Sequence, residues 1–227
     1  MSSHNVTKQK VAYVAQTDAR YPSALSLLGN LAPAYFAVLG NVDLLHEDTI
    51  ALFCSVRCPG SLILKAYDFA QNLRKTNETV ISGFHSPVER ECLNVLSKST
   101  NKVIICPARG LERMRIPADY RSLFEQGRLL LLSPFNEKQR QASAEMAERR
   151  NQLVAALACH VFVTYAAPRS KTERLCRRIV QWEKPLFTFS GVGNNNLVEI
   201  GANALEGDFE ALTVSASAPL LTDLVIE

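Results

Sequence analysis

The chain has 227 residues, 47% of them hydrophobic, and a formal net charge of +3. That composition supports an ordinary globular core, and the length suits one large domain or a domain with an appendage. No apolar run approaches the roughly 20 residues of a membrane span, and the opening MSSHNVTKQK has no apolar signal core, so the chain reads as cytoplasmic with no membrane partner.

The first fifty residues read as a small cap. Tyr21-Pro22-Ser23 opens a helix, and Ala34 to Asn41 reads as a short strand and turn. Six near-continuous apolar runs follow: Ile50 to Cys54, Thr79 to Ile81, Val103 to Cys106, Leu129 to Leu132, Val161 to Tyr165 and Leu186 to Phe189. Runs without polar alternation suit strands covered on both faces. Helical spacing fills the gaps at Ser61 to Arg74, Pro87 to Leu96, Gln139 to Leu157 and Ser170 to Trp182, with Ser86 and Pro87 placed as N-cap and first helical residue. Pro117 to Phe124 suits a short helix, and Asn194-Asn195-Asn196 caps a last one over Leu197 to Leu205. The final stretch, Thr213 to Glu227, reads as an arm or an added strand.

This alternation predicts an α/β fold with a doubly wound, mostly parallel, Rossmann-like sheet and a small N-terminal cap. The expected division is a tail and helical cap over 1–48, the sheet domain over 49–206, and an acidic, apolar tail over 207–227. Six cysteines, at 54, 58, 92, 106, 159 and 176, read as reduced core residues. Cys54 and Cys58 have no second Cys or His pair at zinc spacing, so neither metal nor cofactor is expected. From Arg109 to Arg178 there are 14 Lys/Arg against 7 Asp/Glu, while Glu206 to Glu227 has 5 acidic residues and no basic one. The asymmetry fits a basic surface for a polyanion, or solvated helix faces with ordinary ion pairs.

Ligands of an open parallel sheet bind beyond the carboxyl ends of its strands. There the sequence gathers Ser55-Val56-Arg57, Ser82 to Ser86, Pro107 to Gly110, Ser133 to Phe135, Ala166 to Lys171 and Ser190 to Asn194. Gly83 beside a helix start offers backbone N–H groups to phosphate, with Arg57 as a clamp; equally, it makes a tight strand-to-helix turn. His85 reads as a helix-entry polar residue rather than an acid or base. Asn151 points at the sheet edge or is a buried structural residue. Gly191-Val192-Gly193 is a partial glycine motif without the third glycine.

Several segments together resemble the DNA-processing protein A family (DprA, also called Smf), a Rossmann-like family related to the LOG proteins. The resemblance runs from about Tyr21 to Leu205. YPSALSLLGNLAPAYFAVLGN is similar to the family's Tyr-Pro opening, and ALFCSVRCPG to its A-(V/I)-V-G-S-R-x-x-S segment, with Arg57 on the arginine and Ser55-Val56 in place of Gly-Ser. VISGFHSPVERECL resembles V-V-S-G-x-A-x-G-I-D at Ser82 and Gly83 only. AERRNQLVAALACHVFVTYA matches the family's Arg-Asn helix at Arg150 and Asn151, and NNNLVEIGANAL its closing N-x-L-I-x-x-G-A.

The resemblance implies single-stranded DNA bound in a basic pocket, a recombinase partner, and no catalysis. Its site carries over to Arg57, Ser82, Gly83 and Asn151. His85, Arg109 and Lys171 join them as further phosphate contacts, with Arg113 and Arg115 on the same track, and Phe84 and Phe135 read either as rim aromatics for base stacking or equally as core residues. Some twenty residues after Leu205 are too few for the winged-helix domain of many members. The alternatives are a sensor of a small nucleotide ligand, a LOG-like phosphoribohydrolase, or an interaction scaffold that has lost its ligand. For the hydrolase, Pro168-Arg169-Ser170-Lys171-Thr172-Glu173 lacks the P-G-G-x-G-T-x-x-E glycines. An exposed sheet edge or the apolar Leu220 to Glu227 segment suits a homodimer contact.

Overall fold

The computed structural model describes residues 10–112 and 114–206. Arg113 and the tail beyond Glu206, with its expected arm and dimer segment, lie outside the described residues.

Among the described residues, nine strands form one sheet in the order β1-β2-β6-β5-β4-β3-β7-β8-β9. The six apolar runs are β3 (Thr49–Cys54), β4 (Thr79–Ser82), β5 (Lys102–Ile105), β6 (Leu129–Ser133), β7 (His160–Tyr165) and β8 (Leu186–Phe189), all mutually parallel. Residues expected within the small cap add β1 (Ala12–Ala15) and β2 (Tyr35–Gly40) to the edge, pairing antiparallel to each other and onto β6. A 3-10 segment, Ser23–Leu31, runs between them. The expected last helix is half helix and half strand. α6 (Asn195–Glu199) stops where Gly201 takes φ 107, and β9 (Asn203–Leu205) then pairs with β8.

Both faces of the sheet are covered, which is why the strands lack polar alternation. Ile50, Leu52 and Cys54 of β3 face one core with α1 (Gly60–Leu73), α2 (Pro87–Leu96) and α3 (Arg121–Glu125). Ala51 and Phe53 face the other, under α4 (Ala144–Leu157) and α5 (Lys171–Gln181). In the first core Phe69 stacks on Phe162 at 4.1 Å between ring centroids, and Phe189 meets Phe162 edge-on at 4.9 Å. Such pairs add about 0.5–1.5 kcal/mol each beyond the area they bury. α4 starts five residues later than its periodicity suggests, because the Ser143 hydroxyl accepts the Met146 N–H and fixes the first turn there.

Of the two readings of Phe84 and Phe135, rim or core, the structure takes the second: both are buried. Four cysteines are buried, but Cys58 is half-buried and Cys159 exposed, so the core reading fails for these two. Among the described residues, no helix is long and apolar enough to cross a membrane.

Candidate nucleic-acid interface

The chain leaves β3 through α1 toward β4, and leaves β6 through α4 toward β7 on the other side of β3. The strand order therefore reverses between β3 and β7, and the loops beyond the carboxyl ends open there.

Three serines at those ends tether the loops. The Ser82 hydroxyl donates to the Leu52 carbonyl at 2.7 Å and accepts the Phe84 N–H at 3.2 Å. Ser133 repeats the arrangement, donating to the Arg109 carbonyl and accepting the Phe135 N–H. Ser55 accepts the Ala167 N–H and donates to Thr172 Oγ1, stitching the loop after β3 to the one after β7. All three are buried. A hydroxyl bonded on both sides gains nothing by turning to a phosphate, so Ser82 shapes the turn from inside.

The turn after Ser82 is held from its other end. α2 begins with a capping box, Ser86 accepting the Glu89 N–H while Glu89 reaches back to the Ser86 N–H. The buried Glu89 carboxylate also accepts the Cys54 N–H at 3.0 Å and the His85 N–H at 2.8 Å. Burial pushes its pKa up, against the pull of those bonds and of the Arg150 charge. These bonds hold Phe84 at φ 46. α5 opens similarly. Ser170 accepts the Glu173 N–H, Glu173 accepts the Arg169 N–H, and Arg169 takes φ 61. The glycine-free segment 168–173 is thus a capped helix entry. The Asn196 amide bonded to Glu173 holds that carboxyl below its ordinary pKa.

Arg150 is the residue the sequence pairs with Asn151 and leaves out of the binding set. It is 4% exposed. Its Nη1 donates to the Cys106 carbonyl at 2.6 Å and its Nε to Asn151 Oδ1 at 2.7 Å. The guanidinium lies over Gly83, and burial lowers its pKa while the Glu89 charge supports it.

The predicted residues divide among three clefts. Gly83, His85 and Arg109 share one of about 640 Å³ with Arg140, Ser143 and Arg150. Arg109, Arg140 and His85 are exposed, and among the described residues no carboxylate lines this cleft. The start of α4 faces into it at Ser143 and Ala144, adding the partial positive charge of a helix N-terminus. Arg57 lines a second cleft of about 490 Å³ with Pro59, Ile63, Pro87, Val88 and Tyr165, just past the His85-Ser86 turn. Asn151 and Lys171 line a third, about 230 Å³, between α4 and α5. There Lys171 is ion-paired with Glu148, which Arg174 also approaches at 4.0 Å. Arg140 belongs to the first cleft because α4 starts at Ala144, leaving 140 in the loop before it. A helix drawn from 139 hides that placement.

Sequence and structure comparisons bear on the family and the fold. A family model described as DNA recombination-mediator protein A matches residues 12–215. No curated protein matches the chain. Among solved structures, DNA processing protein A (DprA) from Streptococcus pneumoniae superposes with a TM-score of 0.75 at 22% identity, covering 93% of this chain and 76% of that one. DNA processing protein A from Helicobacter pylori, described for its unique single-stranded DNA binding mode, gives 0.74 at 19%, covering 92% and 96%. The molybdenum cofactor carrier protein from Chlamydomonas reinhardtii gives 0.52 at 9%, covering 75% and 98%. These likenesses show the shared Rossmann-like fold. With the family match spanning nearly all of the sheet and its rim, the chain belongs to the DNA recombination-mediator protein A family.

Proposed function

We propose that this chain binds single-stranded DNA by its phosphates, in the cleft where Gly83, His85, Arg109 and Arg140 gather. The strand then runs over the His85-Ser86 turn to Arg57. The carrying observation is the composition of that cleft: exposed arginines, a helix N-terminus and no carboxylate in its described lining. A polyanion meets donors there and no repelling charge. Family membership supports a role in DNA processing, and the DNA-binding relative from Helicobacter pylori supports this choice of ligand.

Three exposed arginines along the path set the salt dependence. Each phosphate neutralised on a single strand contributes about −0.7 to the slope of log K against log salt, so a slope of roughly −2 is expected. Fluorescence anisotropy of a labelled oligothymidylate of about 16 nucleotides, titrated from low to physiological salt, reads that slope. Absence of binding at low salt, or affinity that ignores salt, overturns the proposal.

A further inference from the structure

A fourth depression, of about 630 Å³, lies beside the basic cleft and differs in chemistry. Its floor is the outer edge of the sheet, where Tyr13 of β1 and Tyr35 of β2 are 50% and 49% exposed. The rings meet edge-on, 5.8 Å between centroids. The Tyr13 hydroxyl donates to Glu112 Oε1 at 2.6 Å, which fixes that ring's direction and pushes its pKa up to about 12.

The two depressions share walls. Residues 109–112 and 136–140 run past each other, joined by the Gly110 N–H to the Gln139 carbonyl at 2.8 Å. Arg109 and Arg140 face the basic cleft; Glu112, Asn136, Glu137 and Lys138 face the tyrosines. Glu112 stands three positions after Arg109, a span of roughly 10 Å even when fully extended. The described lining of the tyrosine depression has two carboxylates, Glu112 and Glu137, against Lys138. That balance suits phosphate poorly. It suits an uncharged planar ring with polar edges, for which exposed tyrosines give stacking faces and Asn136 gives edge contacts.

We propose that Tyr13 and Tyr35 form a base-stacking subsite for single-stranded nucleic acid. It takes unpaired nucleobases from the strand whose phosphates lie in the neighbouring arginine cleft. The proposal rests on that phosphate-binding reading and adds to it the place where bases go. The expected stacking of Phe84 and Phe135 is thereby replaced, since both are buried.

The test is anisotropy with the full chain, comparing wild type with Tyr13→Leu and Tyr35→Leu, and with Tyr13→Phe and Tyr35→Phe as ring-preserving controls. Stacking contributes about 1–3 kcal/mol per base, so each Leu variant should lose about tenfold in affinity and each Phe variant far less. The salt slope should stay at the wild-type value, because a stacked base releases no counterion. An oligonucleotide lacking bases but keeping its phosphates should bind wild type and Leu variants alike. Both side chains are exposed, so the variants keep the fold, which thermal melting verifies. Wild-type binding with the expected slope but unchanged in both Leu variants overturns the subsite alone. Equal losses in the Leu and Phe variants overturn it too, by assigning the effect to the hydroxyls. No wild-type binding at low salt overturns the underlying phosphate reading instead.

Discussion

The Arg150 guanidinium fills the space that any side chain on Gly83 would need. A Cβ placed on Gly83 would lie 1.8 Å from Arg150 Nη1 and 2.0 Å from its Cζ. The glycine is required by a close approach, not by a left-handed backbone, since the positive φ falls on Phe84. Gly83→Ala should therefore expel the guanidinium from the Cys106 carbonyl and the Asn151 amide. Losing a buried, charge-assisted hydrogen bond costs about 1.5–3 kcal/mol. In an Arg150→Ala background the same change should cost little, because the space is empty. Urea denaturation of the double-mutant cycle reads a coupling of about 1–2 kcal/mol. Additive effects would show that the two residues do not compete for one volume.

Ser82 gives a prediction of the opposite kind. It is 0% exposed and bonded to Leu52 and Phe84. Ser82→Ala removes the side-chain partner of the buried Leu52 carbonyl and Phe84 N–H, so stability should fall by about 1–3 kcal/mol. The salt slope of DNA binding, measured well below the melting temperature, should not change. A flattened slope in this variant would put the hydroxyl on the phosphate after all.

The strands and the main helices are legible in the sequence because burial on both faces writes itself as unbroken apolar runs and helical spacing. The capping box at Ser86 is legible for a similar reason, as Ser, Pro and Glu stand at fixed offsets. The site is less so. Residues at strand ends all look alike in sequence, yet Ser82 turns inward, Arg57 and Arg109 open on different clefts, and Asn151 and Arg150, though hydrogen-bonded to each other, line different clefts. Which side a helical residue takes depends on how the helix crosses the sheet, and spacing alone does not state that. β1 and its pairing with β2 were hidden for another reason, although the β2 segment itself reads as a short strand. An antiparallel edge pair needs no long run, and Tyr13 and Tyr35 left on its open side look like ordinary strand residues.

At the opposite end of the sheet, Lys184 donates to the Ala156 carbonyl at 2.7 Å, and burial lowers its pKa to about 8 from an ordinary 10.5. A depressed pKa means the folded state holds its proton less tightly than the unfolded state. The stabilising contribution is full above pH 10.5 and is lost as pH falls through about 8. Wild type should accordingly gain on Lys184→Met by about 1–2 kcal/mol as pH rises across that window, allowing for partial solvent screening. Paired urea denaturation of the two proteins, both carrying Cys159→Ser because that thiol's charge interacts with Lys184, cancels the other groups titrating in this window. A stability difference that stays flat from pH 8 to 10.5 would mean that the ammonium is well solvated.

The three clefts make different demands on DNA, and their cations should differ in the same assay. Arg109 and Arg140 stand exposed in a lining without carboxylates, so each is free to take a phosphate. Arg109→Ala and Arg140→Ala should each flatten the salt slope by about 0.7. Lys171 is already paired with Glu148, so a phosphate arriving there displaces a carboxylate and few counterions leave. Lys171→Ala should therefore leave the slope near its wild-type value. The sign reverses on the partner: Glu148→Gln releases Lys171, brings Arg174 with it, and should steepen the slope by up to about 0.7 for each cation freed. A lysine variant as damaging as the arginine variants would move the DNA path from the α4 N-terminus to the groove between α4 and α5.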